Sequence, residues 1–475
     1  MELGDENTAT PGSDPERATI VALATGPVQA ALATIRMSGP RVHEILARVL
    51  RRPGSALSLS LEARRATVAH FMDPADGETI DEIVVTFFPG PRSYTGEDLA
   101  ELSLHGGPWL VAEANRVLTT LGATQARPGE FTRRALLAGK LDLARAEAVQ
   151  ALVTAQSGAA AKLAARHLAG ELSERYQRIR HGLVSIAACL EGPLEFPEDT
   201  SGEENESAIA ALKGLSEVRQ CLEGLVRSQA QARRIVSGIS IPIVGRPNVG
   251  KSSIFNGLLG SSRAIVSPHP GTTRDSIEAS MLVGGRLVRL IDTAGLGVAI
   301  DDLDAEAMSR AEGHIEDADI VVLVLDLSAD LQESDRELLS RLAGRQVVVV
   351  LNKTDLEPRF ISTDLVELGI AAPPVLVSVK DGSGLPALID RLTIAVETGA
   401  PGDDPLGVVS SARQQGLLVR ALGDLGRVAH NIEGDRAELA IEDLRLAELS
   451  LREILGEASP DEVLDEVFQT FCIGK

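Results

Sequence analysis

The segment GRPNVGKSS, residues 245–253, constrains the fold of this chain more than any other feature. It matches the pattern GxxxxGK followed by Ser or Thr, and it lies between a strand-like run, ISIPIV, and a helix-like run, KSSIFNGLL. In this setting, backbone N–H groups and a helix N-terminus surround phosphate groups. We expect Lys251 on the β- and γ-phosphates and Ser252 on Mg²⁺. The residues predicted at the phosphates are Asn248, Val249, Gly250, Lys251, Ser252 and Ser253.

Two further motifs predict the remainder of the phosphate and metal site. GTTRD, residues 271–275, offers Thr273 as a second Mg²⁺ ligand that also senses the γ-phosphate. DTAG, residues 292–295, follows the strand-like run RLVRLI, which directs Asp292 to the metal through water and the Gly295 amide to the γ-phosphate. The residues predicted here are Thr272, Thr273, Asp292, Thr293, Ala294 and Gly295.

A fourth motif, NKTD, predicts that the base is guanine. Asp355 can accept hydrogen bonds from N1–H and the 2-amino group of guanine, a pattern that adenine lacks. A site built around such an acceptor rejects the wrong base strongly. The residues predicted at the base are Asn352, Lys353 and Asp355, together with backbone amides of Ser378, Val379 and Lys380. Four motifs in this order predict a GTP-binding domain.

No obvious arginine finger accompanies these motifs, so another group must stabilise the charge of the transition state. Asn248, beside the loop SPHPGTTRD, suggests a potassium ion. Its predicted ligands are the side-chain oxygens of Asn248 and Thr272 and the carbonyls of Ser267 and His269. The alternative is that Asn248 is simply a turn residue.

Changes in composition along the 475 residues predict several domains. Short strands and Gly/Pro-rich loops give way to Ala/Leu-rich helical runs, then to alternating strands and helices, then to helices again. We therefore predict a multidomain α/β protein in which an α/β domain is inserted into a split helical domain. The predicted segments are a disordered tail over 1–17, an α+β domain over 18–134, helical parts over 135–237 and 401–475, and the inserted domain over 238–400.

Charge and cysteine content limit the class of protein. The net charge of −22 argues against a chain that coats nucleic acid nonspecifically. The acidic final 75 residues could face a basic protein partner. Three distant cysteines suggest neither zinc nor disulfides, and residues 1–17 are unlike a signal peptide. No run is long enough to span a membrane, so we expect a cytoplasmic protein.

The motifs GRPNVGKS, GTTRD and DTAGL resemble those of the GTPases that include Era, Der and the tRNA-modification GTPase family MnmE, also called TrmE. The flanking segments resemble the last of these. They are YTGEDLAELSLHGGP (94–108), ARPGEFTRRALLAGKLDLARAEAV (126–149), LEFPED (194–199) and the terminal FCIGK. The resemblance covers nearly the whole chain from about residue 18 onward.

The resemblance implies an N-terminal tetrahydrofolate-binding and dimerisation domain, a split helical domain and an inserted Ras-like G domain with a mixed six-stranded sheet. It implies a homodimer that works with the flavoprotein MnmG, as a heterotetramer or larger, on tRNA. Together they add an aminomethyl or carboxymethylaminomethyl group to C5 of the wobble uridine. The carbon donor is 5,10-methylene- or 5-formyltetrahydrofolate. Potassium-dependent dimerisation of the G domains activates GTP hydrolysis.

The family's folate contacts correspond here to Arg36, Glu101, Lys140 and Lys475. A carboxylate can pair with the pterin's amino and ring N–H groups, and cations suit the oxygen-rich remainder. Without the resemblance, each would be interpreted as a surface charge.

The terminal FCIGK is expected to fold back against the N-terminal domain. Its apolar residues, Phe471 and Ile473, would then anchor Lys475 and place Cys472 near the substrate. As a catalytic nucleophile, Cys472 would need a lowered pKa. The alternative is that Cys472 is a buried residue that packs as a small hydrophobic side chain.

The catalytic position of the family's water-orienting Glu is occupied here by Asp304, twelve residues after Asp292. The shorter side chain retracts the carboxylate by roughly 1.5 Å, a displacement large enough to slow the reaction. Asp304 still orients the water, or nearby Glu306 replaces it. We expect slow, potassium-stimulated hydrolysis.

The nucleotide motifs also allow two other functions. An Era-like ribosome-assembly switch would bind RNA without modification chemistry, through a module such as KH with a GXXG loop. GDLG, residues 423–426, fits that string but lies in an acidic helical segment. A self-assembling structural GTPase would leave the N-terminal domain and FCIGK without a role.

Overall fold

The computed structural model describes residues 18–54, 61–195, 204–261, 277–293, 315, 318–360, 373–398, 411–434 and 436–475. The chain divides into two compact units, each described here by itself. The first contains the N-terminal 150 residues together with 168–176 and 448–475, and the second contains 151–167 and 177–447.

A seven-stranded sheet forms the centre of the first unit, with the strand order β3-β4-β5-β6-β2-β1-β7. Most of its pairs are antiparallel, and only β1 and β7 are parallel. The strands are β1 Ile20–Leu23, β2 Leu32–Ser38, β3 Leu50–Arg51, β4 Thr67–Met72, β5 Thr79–Phe88, β6 Leu99–His105 and β7 Thr124–Gln125.

The two faces of this sheet differ, because successive side chains of a strand point to opposite sides. Ala33, Ile35 and Met37 of β2 face a buried core that also receives helices α1, Val42–Val49, and α2, Pro108–Thr120. Arg36 lies on the other face, directly opposite Glu101 of β6. This alternation places two charged side chains side by side without burying them in the apolar core.

A mixed six-stranded sheet with the order β13-β12-β11-β8-β10-β9 lies in the second unit and belongs to the predicted inserted domain. All neighbours are parallel except β9 and β10. This confirms the mixed six-stranded sheet that the family resemblance implies. The strands are β8 Ile239–Val244, β9 Ile277–Val283, β10 Arg286–Asp292, β11 Val321–Asp326, β12 Val347–Asn352 and β13 Val375–Leu376.

Helices dominate the remaining described residues and include the predicted helical runs. Those that follow α2 are α3 Glu130–Leu137, α4 Leu143–Thr154, α5 Gly158–Ala169, α6 Glu171–Glu195, α7 Glu204–Arg227, α8 Gln229–Val236, α9 Lys251–Ser261, α10 Glu333–Arg341, α11 Leu385–Thr398, α12 Ala412–Glu433, α13 Ala437–Leu455 and α14 Asp461–Gln469. Within the second unit, α12 packs on α7 and donates from Gln415 to the Val226 carbonyl. None of the helices in these ranges has the length and apolarity needed to cross a membrane.

Candidate functional site

The parallel strands of the G domain end at one edge of their sheet, where three of the predicted motifs meet. Gly245 follows β8, Asp292 ends β10 and Asn352 ends β12. Asp292 lies opposite Ile243 of β8, and the Thr293 hydroxyl donates to the Ile243 carbonyl over 2.7 Å. Ligands of open α/β sheets bind at the carboxyl ends of the strands.

The loop between β8 and α9 is shaped by close backbone approaches. Gly245 has φ +147°, and a Cβ there would lie 2.3 Å from the carbonyl oxygen of Val324. Gly250 has φ +100°, and a Cβ there would lie 2.2 Å from Nδ2 of Asn352. Asn248 is exposed, with φ +64° in the left-handed region. These positions let the backbone fold into a tight cradle for an anion.

Lys251 is buried beneath this cradle. Its Nζ donates to the carbonyls of Gly245 and Arg246, each over 2.8 Å. Burial lowers the pKa of the Lys251 ammonium, although the Asp292 carboxylate acts in the opposite direction. A positive charge bonded to neutral carbonyls, as Lys251 is here, gains from an incoming phosphate. Ser252 and Ser253 are exposed at the first turn of α9, where hydroxyls can reach a metal.

The predicted base-binding residues are held together by hydrogen bonds. Asn352 is buried, and its Nδ2 donates to the Val249 carbonyl over 2.8 Å, which joins this motif to the phosphate loop. The buried Ser378 hydroxyl donates to Asp355 over 3.0 Å, and Lys380 lies 3.6 Å from the same carboxylate. These contacts orient Asp355 as an acceptor.

Lys353 and Asp326 form a neighbouring ion pair that sequence reasoning missed. The Lys353 Nζ lies 2.5 Å from Asp326 Oδ2, at the end of β11. Lys353 has φ +67°, so its backbone is held in the left-handed region while its side chain reaches that carboxylate. The pairing of β11 with β12 places Asp326 opposite Asn352, but motif spacing alone does not reveal this partner.

Several predicted site residues lie outside the described part of the chain. They are Ser267, His269, Thr272, Thr273, Ala294, Gly295 and Asp304, with the alternative Glu306. Their roles stay predictions.

A second polar cluster lies on the open face of the seven-stranded sheet. The Arg36 guanidinium donates to Glu101 Oε1 from Nε over 3.1 Å and from Nη2 over 2.7 Å. Both side chains are mostly buried, with exposed fractions of 17% and 33%. The Arg36 Nη1 donates to the carbonyl of Gly474 over 3.2 Å. The cluster therefore joins the two strands to the end of the chain.

Two aromatic rings flank Arg36. Its Cζ lies 5.7 Å from the centre of the Tyr94 ring and 5.8 Å from that of Phe131, distances at which a cation and a ring attract. The Tyr94 hydroxyl hydrogen-bonds Thr132 over 2.9 Å. Burial raises the pKa of the Tyr94 phenol, against the lowering effects of Thr132 and Arg36.

The loop that carries Tyr94 is tied to α3 and β2. The Ser38 hydroxyl lies 2.7 Å from that of Thr95 and donates to Glu97 over 2.9 Å. The buried Arg134 donates to Glu97 over 3.0 Å and to Glu130 over 2.8 Å. This network holds the Tyr94 ring beside Arg36. Sequence reasoning missed it, because the contacts among Ser38, Thr95, Glu97 and Arg134 join different elements of the chain.

The chain terminus packs against this region, as expected. Phe471 is buried in a cluster with Leu143, Ala146, Leu464 and Phe468. The Gly129 N–H donates to the Cys472 carbonyl over 3.4 Å. Gly474 has φ +94°, and a Cβ there would lie 2.3 Å from the Leu23 carbonyl oxygen. The backbone of the terminal residues therefore touches β1 and the segment before α3.

The tail differs from expectation at two side chains. The Ile473 side chain is 54% exposed, so the prediction that it anchors Lys475 is wrong, and Phe471 supplies the buried contact. Cys472 is exposed, which excludes its alternative interpretation as a buried small hydrophobic residue. Lys475 is partly buried beyond Gly474. Lys140 is exposed. Its side chain passes Gly96, since the Lys140 Cε lies 3.6 Å from the position that a Cβ of residue 96 would occupy.

Family models match almost the whole chain. The model described as GTP-binding protein TrmE N-terminus matches residues 19–140, and the model described as MnmE helical domain matches residues 143–472.

Three relatives named tRNA modification GTPase MnmE match over 96% of this chain. Those of Opitutus terrae and Moorella thermoacetica are 40% and 37% identical, each covered over 99% of its length. That of Bacillus subtilis is 34% identical and covered over its full length, 100%.

Among solved structures, the G domain of the T. maritima FeoB iron transporter is 28% identical over 34% of this chain and 99% of that chain, with a TM-score of 0.26. A superposition of that score adds nothing to the family assignment.

Gly245→Ala is predicted to weaken nucleotide binding by about fivefold to a hundredfold, because the new methyl group meets the Val324 carbonyl at a strained φ. Titration with a fluorescent GDP analogue measures the change. Gly260→Ala is the control, because nothing lies within 4 Å of a Cβ at that position of α9. Equal affinity of both variants would contradict the close-approach account of the phosphate loop.

Proposed function

The chain belongs to the MnmE family of tRNA modification GTPases, and we propose which parts of its structure bind GTP, folate and a second copy of the chain. It is a GTP hydrolase that acts in tRNA modification. We propose that it adds a (carboxymethyl)aminomethyl group to C5 of the wobble uridine, together with the flavoprotein MnmG, using a carbon unit from tetrahydrofolate. The observation that carries this proposal is the cluster of Arg36, Glu101 and the carbonyl of Gly474.

GTP binding is assigned to the edge of the G-domain sheet. Lys251, held on two carbonyls, takes the phosphates, while Asp355, oriented by Ser378, accepts from guanine. Mg²⁺ suits the exposed Ser252 hydroxyl directly and the buried Asp292 carboxylate through water, since it prefers oxygen ligands. When bound, the metal neutralises charge that develops on the phosphates.

Folate binding is assigned to the open face of the first sheet. The Glu101 carboxylate is one-third exposed, so it can accept from a pterin's amino and ring N–H groups while it stays paired with Arg36. Tyr94 and Phe131 supply apolar walls beside that pair. We infer that Lys140, which is exposed, and Lys475, which is partly buried, receive the oxygen-rich remainder. Tetrahydrofolate, when bound, supplies the one-carbon unit.

A homodimer through the N-terminal domain is supported by the same sheet face. Val68 and Val84 lie opposite each other there, 49% and 41% exposed, and Leu32 of β2 is 64% exposed. Exposed apolar residues on a sheet face mark interaction surfaces. We also propose that the protein works in the cytoplasm, where its tRNA substrate is found.

The ribosome-assembly alternative is less well supported. GDLG lies inside helix α12. Asp424 of this string is only 5% exposed and pairs with Arg427 over 2.6 Å. A KH module needs such a string in an exposed loop that clamps backbone nucleotides.

Potassium is predicted to stimulate GTP hydrolysis, because it supplies the positive charge that an arginine finger gives elsewhere. We expect turnover in KCl to exceed that in NaCl by about tenfold or more. Asn248→Ala should lose this stimulation, whereas Asn256→Ala, an exposed Asn on α9, should keep it. Phosphate release under both salts is the measurement, and equal turnover of the unaltered chain in KCl and NaCl would refute the potassium site.

Wobble-uridine modification is predicted to depend on Glu101. In a strain that lacks this gene, mass analysis of tRNA nucleosides should show unmodified wobble uridine, and the wild-type gene should restore the modification. Glu101→Gln should not restore it, because the carboxylate that faces the pterin is gone. Glu44→Gln removes a comparable ion pair at the surface and should restore it fully. Normal nucleosides in the deletion strain would exclude the proposed function.

A further inference from the structure

The second residue of the phosphate loop has a partner far along the chain. The Nε of Arg246 donates to Oδ1 of Asp335 over 2.8 Å. Arg246 is only 18% exposed at its side chain and Asp335 only 1%. A buried ion pair survives only when its geometry is good and its other polar atoms are satisfied, so this contact constrains both residues.

Asp335 is itself fixed in place. It lies in the first turn of α10, where its Oδ2 accepts from the N–H of Gln332 over 3.0 Å. The helix is held on the sheet by Leu339, which packs in one cluster with Val244, the residue just before the phosphate loop. The carboxylate therefore presents a rigid acceptor to Arg246.

Arg246 also supplies one of the two carbonyls that hold Lys251. Its side chain is drawn toward α10 while its main-chain oxygen points at the Lys251 ammonium. The next residue, Pro247, has no N–H and a fixed φ. Elsewhere in the loop, the Gly245 backbone lies close to Val324, and the Val249 carbonyl accepts from Asn352. Without Asp335, Lys251 would be the side chain left to hold the loop between Gly245 and Val249, among the contacts described.

We propose that Asp335 is a positioning residue for nucleotide binding, which acts through Arg246 to preorganise the phosphate loop and the ammonium of Lys251. Neither carboxylate oxygen of Asp335 reaches the phosphates in this role. The pair instead lowers the cost of ordering the loop when a nucleotide binds. This inference rests on the proposed assignment of residues 245–253 to the phosphates.

The test separates positioning from simple stability. A double variant, Arg246→Met with Asp335→Leu, replaces the ion pair by apolar side chains, a change that commonly preserves the stability of a fold. We expect its Tm to fall by only a few degrees, because α10 loses the bond from the Gln332 N–H to Asp335, while its affinity for a fluorescent GDP analogue falls by about tenfold to a hundredfold. In GTP hydrolysis, KM should rise more than kcat falls.

A matched control pair is Arg219 and Glu223 of α7, both well exposed. Arg219→Met with Glu223→Leu should change the affinity by less than about twofold. If the double variant at 246 and 335 fails to fold, Arg246→Lys serves instead. It keeps the charge but loses the Nε donor, and it should show the same direction of change at an unaltered Tm.

Two results would overturn the proposal in different ways. Wild-type affinity in a stably folded double variant, or in Arg246→Lys, would show that the pair serves stability alone. Failure of the unaltered chain to bind the GDP analogue would instead refute the assignment of the phosphate loop itself, and this inference with it.

Discussion

The guanidinium of Arg36 connects parts of the chain that are otherwise distant. It binds Glu101, 65 residues away, and the carbonyl of Gly474, 438 residues away. Strand pairing brings the first partner, because β2 and β6 are neighbours with these residues in register. Burial of Phe471 brings the second. The proposed folate site depends on this convergence, since a charged pair on an open sheet face needs a further wall to enclose a ligand.

The nucleotide site follows a different principle. Parallel strands bring the motifs to one edge of the sheet, and hydrogen bonds hold the phosphate loop at Gly245, Arg246 and Val249. A cradle prepared before the ligand arrives loses less entropy on binding. The entropy lost on binding is reduced in the same way at Asp355, because the Ser378 hydroxyl already orients its carboxylate. Both proposed sites thus use buried side-chain contacts to prepare partly exposed groups for a ligand.

Much of the fold could be predicted from local patterns. The runs ISIPIV, RLVRLI and LATIRMS form strands β8, β10 and β2, and the Ala/Leu-rich runs form helices. The mixed six-stranded sheet was predicted correctly from the family resemblance. Partners joined only by tertiary packing could not be predicted. Asp335, Asp326 and Arg134 are ordinary charges in the sequence, and their burial depends on elements far away along the chain. The exposure of Ile473 was missed for the same reason, because apolar character alone does not tell which of two neighbouring residues faces the core.

Direct titration with 5-formyltetrahydrofolate tests the central claim that the chain terminus helps to build a carbon-donor site. The wild-type chain should show saturable binding. Phe471→Ala removes the buried anchor of the tail and should weaken that binding by about tenfold or more, whereas Ile473→Ala removes an exposed side chain and should change it by less than about twofold. No saturable binding to the wild-type chain, or equal binding to all three proteins, would contradict the account.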